Sequence, residues 1–112
     1  MKATDNMFRL TFYVGEEQKY RRKPLYEEIL KEAHSRGISG ATVFRGMAGY
    51  GTKNEMRSSQ ILRLSENLPV VIQLVDMKEP LLSLADFFGE AVGKGLITLE
   101  SVSVLTCDCV MT

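Results

Sequence analysis

The sequence predicts an α+β domain whose elements follow the order strand, helix, strand, strand, helix, strand. Three observations lead to this order: four segments with strand character, two amphipathic helical segments between strands, and one long polar connection after the second strand. This is the βαββαβ plan of the ferredoxin-like fold. With 112 residues and 45% hydrophobic content, the chain is long enough for one core and too short for two. Residues 1–112 are therefore predicted to form a single domain.

The first predicted elements are a strand over residues 8–14 and a helix after it. Apolar and polar residues alternate in the strand, which is the period of a sheet with one apolar face. Pro24 opens the helix in the first turn, where proline is tolerated, and Gly37 is the natural stop. The helical residues predicted to pack inward are Leu25, Tyr26, Ile29, Leu30 and Ala33.

The middle of the chain predicts two strands separated by the long connection. The second strand covers residues 41–45, and the chain returns from the connection at residues 61–64. The strongest strand pattern follows at residues 70–75, where every residue except Gln73 is apolar. A run of this kind is typical of a strand at the centre of a sheet, and we expect it there.

The last third predicts a helix and a final strand. Asp76 and Glu79 have the spacing of a capping box at the start of this helix, and Gly93 closes it. Its apolar side is formed by Leu81, Leu84, Ala85, Phe88, Ala91 and Val92. In the final strand the apolar residues at 102 and 104 are out of phase with those at 97 and 99, which predicts a bulge or break near residues 100–101.

One face of the predicted sheet has no helix to cover it. Right-handed crossovers place both helices on the same face. The other face would carry Thr11, Tyr13, Thr42 and Phe44 together with one side of residues 70–75. Because such a patch is too apolar to leave in water, we expect the chain to form oligomers through it.

Composition excludes several classes of function. Lysine plus arginine and aspartate plus glutamate number 14 each, so no net field favours nucleic acid or an anionic membrane. The apolar runs are too short for a membrane span, and the first residues lack the apolar core of a secretory signal. We therefore expect a cytoplasmic protein. The sequence also lacks a nucleophile with plausible catalytic partners, a Walker loop and a dinucleotide fingerprint, so we do not expect an enzyme.

The long connection is the first candidate binding site. Gly46, Gly49 and Gly51 allow another molecule to approach the backbone closely, and Lys53 and Arg57 add positive charge beside the amides. This combination favours an anion. An ordinary glycine-rich turn is the alternative, although connections longer than about a dozen residues are uncommon without a function.

Two further features could contact an anion. Gly93-Lys94-Gly95 is interpreted either as a helix cap and tight turn or as two exposed amides and an ammonium group for a phosphate. Arg45, at the end of a strand beside the connection, is either a solvated charge or a phosphate or carboxylate contact. The charged residues 16–23 are interpreted as a solvated loop.

The chain as a whole resembles a known family. The segments that carry the resemblance are FYVGE (residues 12–16), KPLY (23–26), GISGATVFRGMAGYG (37–51), ILRLSENLPVVI (61–72) and GKGLITLE (93–100). They closely resemble the uncharacterised PII-like proteins, a domain of unknown function, and more distantly the nitrogen-regulatory PII signalling proteins.

The resemblance implies a homotrimer whose sheets face the threefold axis, with ATP, ADP, AMP or another small effector held between subunits and no cofactor required. Residues 46–60 match the T-loop, which docks on partner proteins such as membrane transporters. In this interpretation Gly46, Gly49, Tyr50 and Gly51 shape the loop base, Lys53 and Arg57 are polar contacts, and Gly93, Lys94 and Gly95 grip phosphate.

Two other functions stay open. Cys107 and Cys109 would point to one side of a strand and could begin a metal site shared across a trimer, as in divalent-ion tolerance proteins, although structural zinc sites normally use four ligands. The chain could also be an adaptor for a membrane transporter that needs no ligand.

Overall fold

The computed structural model describes residues 1–49, 57–58, 68–93 and 95–106. Within this part of the chain the elements are, in order, β1 (Lys2–Gly15), β2 (Lys19–Tyr20), β3 (Lys23–Pro24), α1 (Leu25–Ser35), β4 (Gly40–Arg45), β5 (Ala48–Gly49), β6 (Arg57–Ser58), β7 (Pro69–Met77), α2 (Lys78–Val92) and β8 (Leu96–Thr106). The four long strands and two helices follow the predicted βαββαβ order. The predicted return at residues 61–64 lies outside the described residues, as do Cys107 and Cys109.

The four long strands form one antiparallel sheet in the order β4-β7-β1-β8. β7 has a partner on each side, which confirms the central position predicted for residues 70–75. β4 and β8 are the edge strands. Because β1 and β7 are neighbours in the sheet but far apart in sequence, the two halves of the chain share one core. This is the ferredoxin-like topology.

The core lies between one face of the sheet and the two helices. β1 contributes Leu10, Phe12 and Val14, which point to that face at every second residue. The ring of Phe12 meets Phe88 edge-on, with 6.4 Å between centroids. The other buried members of this cluster are Leu25, Ile29, Ala33, Val70, Ile72, Leu74, Leu81, Leu84 and Val92. These include most of the predicted helix stripes, whereas Leu30 is 38% exposed.

Helix α1 has the predicted limits, but the predicted capping box of α2 is wrong. α1 follows Pro24, and Gly37 beyond its end has φ +77°. α2 begins only after Met77 and has no side-chain cap. Asp76 cannot cap it because this residue still belongs to β7, paired with Phe8. Its carboxylate instead accepts hydrogen bonds from the backbone N–H groups of Met77 and Ser39, at 2.6 and 3.0 Å.

The predicted bulge is in β1 and not in β8. Pairing of β1 with β8 is continuous through residues 100–101 and shifts between Thr4 and Met7. Asn6 in the bulge has φ +65°, which asparagine tolerates better than most residues. α2 begins close to Phe8, whose ring centre lies 5.6 Å from the Lys78 ammonium. Beyond that point the pair β1–β8 continues as a two-stranded ribbon.

No helix in the described ranges is long and apolar enough to cross a membrane.

Candidate functional site

Both predicted binding segments lie at one end of the sheet. Antiparallel pairing brings the last residues of β1 and β4 beside the first residues of β7 and β8. α2 ends at the same place, since Gly93 and Gly95 lead from it into β8. Arg45, Gly46 and Gly49 continue from β4 at this end. Tyr50, Gly51, Lys53 and Lys94 lie outside the described residues, as does the side chain of Arg57.

Arg45 is not the free edge charge that the sequence suggested. Its guanidinium forms an ion pair with the Oε2 atom of Glu16, the residue after β1. The side chains of Arg45 and Glu16 are 52% and 21% exposed. The other carboxylate oxygen of Glu16, Oε1, is buried and has no hydrogen-bond partner among the described residues. Because a guanidinium has five N–H donors and Arg45 is half-exposed, an anion from solvent can reach this side chain and compete with Glu16 for it.

The glycines after β4 differ in how closely they are packed. The Gly46 N–H donates to the Pro69 carbonyl at 2.7 Å, and a Cβ on Gly46 would lie 2.7 Å from Cγ of Pro69. A Cβ on Gly49 would lie 3.5 Å from Cγ of Pro69, which is an ordinary van der Waals contact. Gly49 pairs with Arg57 in the short ladder of β5 and β6. The long connection therefore begins with a paired stem that is seated against the start of β7.

The turn between α2 and β8 is a helix cap, as one of the two predictions had it. Gly93 has φ +57°, and its N–H donates to the Gly89 carbonyl at 3.2 Å. The Gly95 N–H donates to the Val92 carbonyl at 2.9 Å. A Cβ on Gly95 would lie 2.7 Å from the Tyr13 carbonyl oxygen. The N–H groups of Gly93 and Gly95 therefore both have acceptors within the chain, which favours the helix cap, while a phosphate contact at this turn stays a prediction.

Gln18 and Glu16 are site residues that the sequence analysis missed. The Gln18 Oε1 atom accepts a hydrogen bond from the Gly15 N–H at 2.7 Å, and its Nε2 atom donates to the Val92 carbonyl at 3.2 Å. Gln18 thus ties the end of β1 to the end of α2. Both residues belong to a charged segment without periodicity, so nothing in their spacing indicated a partner outside the segment.

Within one chain, the two candidate segments are on opposite edges of the sheet. Arg45 ends edge strand β4, and Gly95 precedes edge strand β8, with β7 and β1 between them. At about 4.8 Å per strand, the separation is roughly 14 Å. Two copies placed edge to edge could bring the segments together.

The sheet face opposite the helices is not covered by a helix, and its side chains form rows that run across the strands. The row nearest the candidate site is apolar, the next is polar, and the third holds an Arg9–Glu100 ion pair of 2.6 Å. Strand pairing aligns Phe44, Val71, Tyr13 and Leu96 in the first row, and Thr42, Gln73, Thr11 and Thr98 in the second. Phe44 is 50% exposed and Tyr13 is 41% exposed, as predicted. Thr11 is the exception on this face, since it is only 2% exposed.

Among the described residues, no group of three or more histidine, cysteine, aspartate or glutamate side chains is placed to hold a metal ion. The two cysteines are not among them, so the metal-binding alternative stays a prediction.

Comparison with known proteins identifies the family. The family model DUF190, described as "Uncharacterized ACR, COG1993", matches residues 7–104. The chain belongs to the DUF190 family. Among curated proteins, a "UPF0166 protein" of Aquifex aeolicus is 41% identical to this DUF190 chain over 98 residues, which cover 86% of the chain and 90% of the relative.

Solved structures place this DUF190 chain among PII-like folds, which confirms the resemblance noted in the sequence. CPII, a nitrogen regulatory PII-like protein from Thiomonas intermedia K12 bound to ADP, AMP and bicarbonate, matches with a TM-score of 0.66 and 19% identity over 92% of this chain and 91% of CPII. A putative PII-like signaling protein from Thermus thermophilus matches with a TM-score of 0.65 and 18% identity over 94% of each chain.

Proposed function

We propose that this chain is a PII-like regulatory protein without enzymatic activity. It binds a small anionic effector, an adenine nucleotide, between subunits of a homotrimer and acts on a partner through the connection after β4. The observation that carries the proposal is that Arg45 and the turn at Gly93 and Gly95 lie at the same end of the sheet but on opposite edge strands.

A cyclic assembly would join the two halves of the site. Packing the open faces around an axis removes the exposed apolar row of Tyr13, Phe44 and Leu96 from water. It also places the β4 edge of one copy near the β8 edge of the next. Arg45 and Lys94 would then act on one ligand from two sides. The ADP and AMP bound to CPII support an adenine nucleotide as this ligand.

The ion pair at the root of the connection gives the ligand a route to the partner. An anion at Arg45 competes with Glu16 for the same guanidinium. Arg45 is followed directly by Gly46, which is bonded to Pro69, and then by the paired stem of β5 and β6. We expect a change at Arg45 to move this stem, and with it the surface that the connection presents to a regulated protein.

Isothermal titration calorimetry with ATP, ADP, AMP and cyclic AMP tests the ligand. Binding of at least one of them is expected, and the Arg45→Ala and Lys94→Ala variants should each bind far more weakly. No heat with any of the four at millimolar concentration would reject the nucleotide. In that case a ligand-independent adaptor for a transporter would become the better account.

A subunit-mixing experiment tests whether the site lies between copies. Oligomers of Arg45→Ala and Lys94→Ala subunits are dissociated, mixed and reassembled. If the two residues come from different copies, some interfaces of the mixed oligomers regain both groups, and part of the nucleotide binding returns. If both residues served a ligand from the same chain, no mixture would regain binding.

A further inference from the structure

The charged segment that the sequence suggested to be a solvated loop is a β-hairpin. β2 and β3 pair through Lys19 with Pro24 and Tyr20 with Lys23. Two residues connect them, Arg21 with φ +51° and Arg22 with φ +72°. Positive φ at both central positions is the pattern of a type I′ turn, for which Asn-Gly is the favoured sequence.

Two consecutive arginines are a poor choice for this turn. Residues with a Cβ are disfavoured at positive φ because that atom comes too close to the next carbonyl oxygen. Strained backbone of this kind is concentrated at functional sites, where it serves something other than stability. The conformational cost at Arg21 and Arg22 therefore points to a role for their side chains.

The hairpin concentrates positive charge in a chain whose net charge is zero. Lys19, Arg21, Arg22 and Lys23 are all exposed. Over the described ranges, ion pairs form at other cations, for example Lys31 with Glu28 and Arg36 with Glu32, and none neutralises the four hairpin cations. We refer to residues 19–23 as the basic hairpin.

Aromatic packing fixes the basic hairpin to the helix layer. The Tyr20 ring lies 5.3 Å from the ring of Phe88 and 6.2 Å from that of Phe87, centroid to centroid. The Arg21 guanidinium lies 5.2 Å from the centre of the Tyr20 ring. Phe87 stays 46% exposed, with the Arg36 guanidinium 4.8 Å from its ring centre. Cations and an apolar ring thus share one surface, on the side of the molecule away from the open sheet face.

We propose that the basic hairpin and Phe87 form a docking surface for a partner protein, and that the docked element is a compact acidic segment with an apolar side chain. Charge complementarity to the hairpin cations favours acidic residues in the partner segment, and the exposed ring of Phe87 favours an apolar side chain beside them. The surface lies on the helix layer, where Tyr20 packs against Phe87 and Phe88 of α2, and not on the open sheet face.

The flanking charges argue for a compact segment over an extended polyanion. Glu27 is exposed in the first turn of α1, which directly follows the hairpin, whereas Glu28 and Glu16 are already paired with Lys31 and Arg45. A bilayer surface or a nucleic acid long enough to cover this region would meet the Glu27 carboxylate as well as the cations, and like charges would repel. A short acidic segment can contact the hairpin alone.

Fluorescence anisotropy with a labelled oligo-glutamate peptide that contains one phenylalanine tests this surface. The test variant is Arg21→Asn with Arg22→Gly, which removes two charges and installs the favoured turn sequence. Two controls accompany it: Arg21→Lys with Arg22→Lys keeps both charges, and Lys2→Gln with Lys78→Gln removes two charges elsewhere.

The test variant should bind the peptide about tenfold more weakly or worse, because charge-assisted contacts are lost, while its melting temperature rises. Both controls should bind within about twofold of the wild type, as expected for exposed charges away from a contact. Nucleotide titrations of the test variant should be unchanged, which separates this proposal from the nucleotide site.

Three outcomes would overturn the proposal. The first is a test variant that binds the peptide as tightly as the wild type. The second is an equal loss of binding in the Lys2→Gln/Lys78→Gln control, which would mean unspecific attraction. The third is tighter binding to phosphatidylglycerol vesicles or to single-stranded DNA than to the peptide, since that would select an extended polyanion.

Discussion

Arg45 and Glu16 form an ion pair across the end of β7, although their strands, β4 and β1, are not neighbours in the sheet. Backbone carbonyl groups of Leu68 and Pro69, where β7 begins, support both sides of the pair. The Glu16 N–H donates to the Leu68 carbonyl at 2.8 Å, and the N–H after Arg45 donates to the Pro69 carbonyl at 2.7 Å. The charge that could attract an effector is therefore held by a carboxylate at the root of the connection.

Replacing Glu16 with glutamine should strengthen nucleotide binding. The neutral side chain no longer competes for Arg45, and a half-exposed ion pair is worth at most about 1 kcal/mol, so the affinity should rise up to about fivefold. Calorimetric titration measures this. Glu32→Gln, which breaks the pair with Arg36 away from the site, should leave the affinity unchanged. A loss of binding in Glu16→Gln would show that the carboxylate itself contacts the ligand.

Gly46→Ala should destabilise the protein, whereas Gly49→Ala should not. The new Cβ of Gly46→Ala would lie 2.7 Å from Cγ of Pro69 and must displace the ring, while at Gly49 the distance is 3.5 Å. Overpacking of this kind costs about 1–3 kcal/mol, and the Gly49 variant should stay within about 0.5 kcal/mol of the wild type. Urea unfolding of both variants measures the two changes in the free energy of unfolding. Equal stability of the two would contradict the close contact at Pro69.

Gly89→Ala should stabilise the protein. Gly89 lies within α2, and a Cβ there would have no atom within 4 Å. Alanine is preferred over glycine in a helix by about 0.5–1 kcal/mol, and thermal unfolding should show the gain. Gly37→Ala is the opposite case, because φ is +77° there, and it should cost about 1 kcal/mol. A loss of stability in Gly89→Ala would mean that this side of α2 is covered in the assembled protein.

Arg21→Asn with Arg22→Gly should also raise the free energy of unfolding. These two residues have φ of +51° and +72°. Replacing them with the amino acids that this turn favours should raise the free energy of unfolding by about 1–2 kcal/mol. Chemical denaturation measures the change, and Arg21→Lys with Arg22→Lys should show none of it. If the Asn-Gly variant is no more stable, the arginines are not strained and their backbone conformation does not indicate a functional role.

Phe44→Glu should prevent assembly. Phe44 is 50% exposed in the single chain, so the subunit should still fold, but a carboxylate in the apolar row of the open face would have to be buried without a partner. Light scattering should give a trimer for the wild type and a single copy for the variant. Leu82→Glu, at a 41% exposed position of α2, should remain trimeric. A wild-type protein that is a single copy at micromolar concentration would exclude a site between subunits.

The sequence by itself determined which residues form the core and in what order the elements follow. Alternation in β1 and β7 and the three-and-four spacing in α1 and α2 depend only on the local period of each element, so residues such as Phe12, Ile29 and Leu84 were predicted before any contact was known. Glycine conformation at Gly37 and Gly93 is equally local. Sequence similarity then identified the DUF190 family.

Only the tertiary structure decided how the candidate site is built. The contacts of Glu16 with Arg45 and of Gln18 with Val92 join residues from different elements, and they depend on strand order, which no local period encodes. For the same reason the amides of Gly93 and Gly95 looked available in the sequence, although the folded chain already supplies their acceptors. The hairpin at Arg21 and Arg22 was missed because its turn lacks the residues that normally mark a type I′ turn. Periodicity determines which way a side chain faces, while the packing of distant segments determines what it meets.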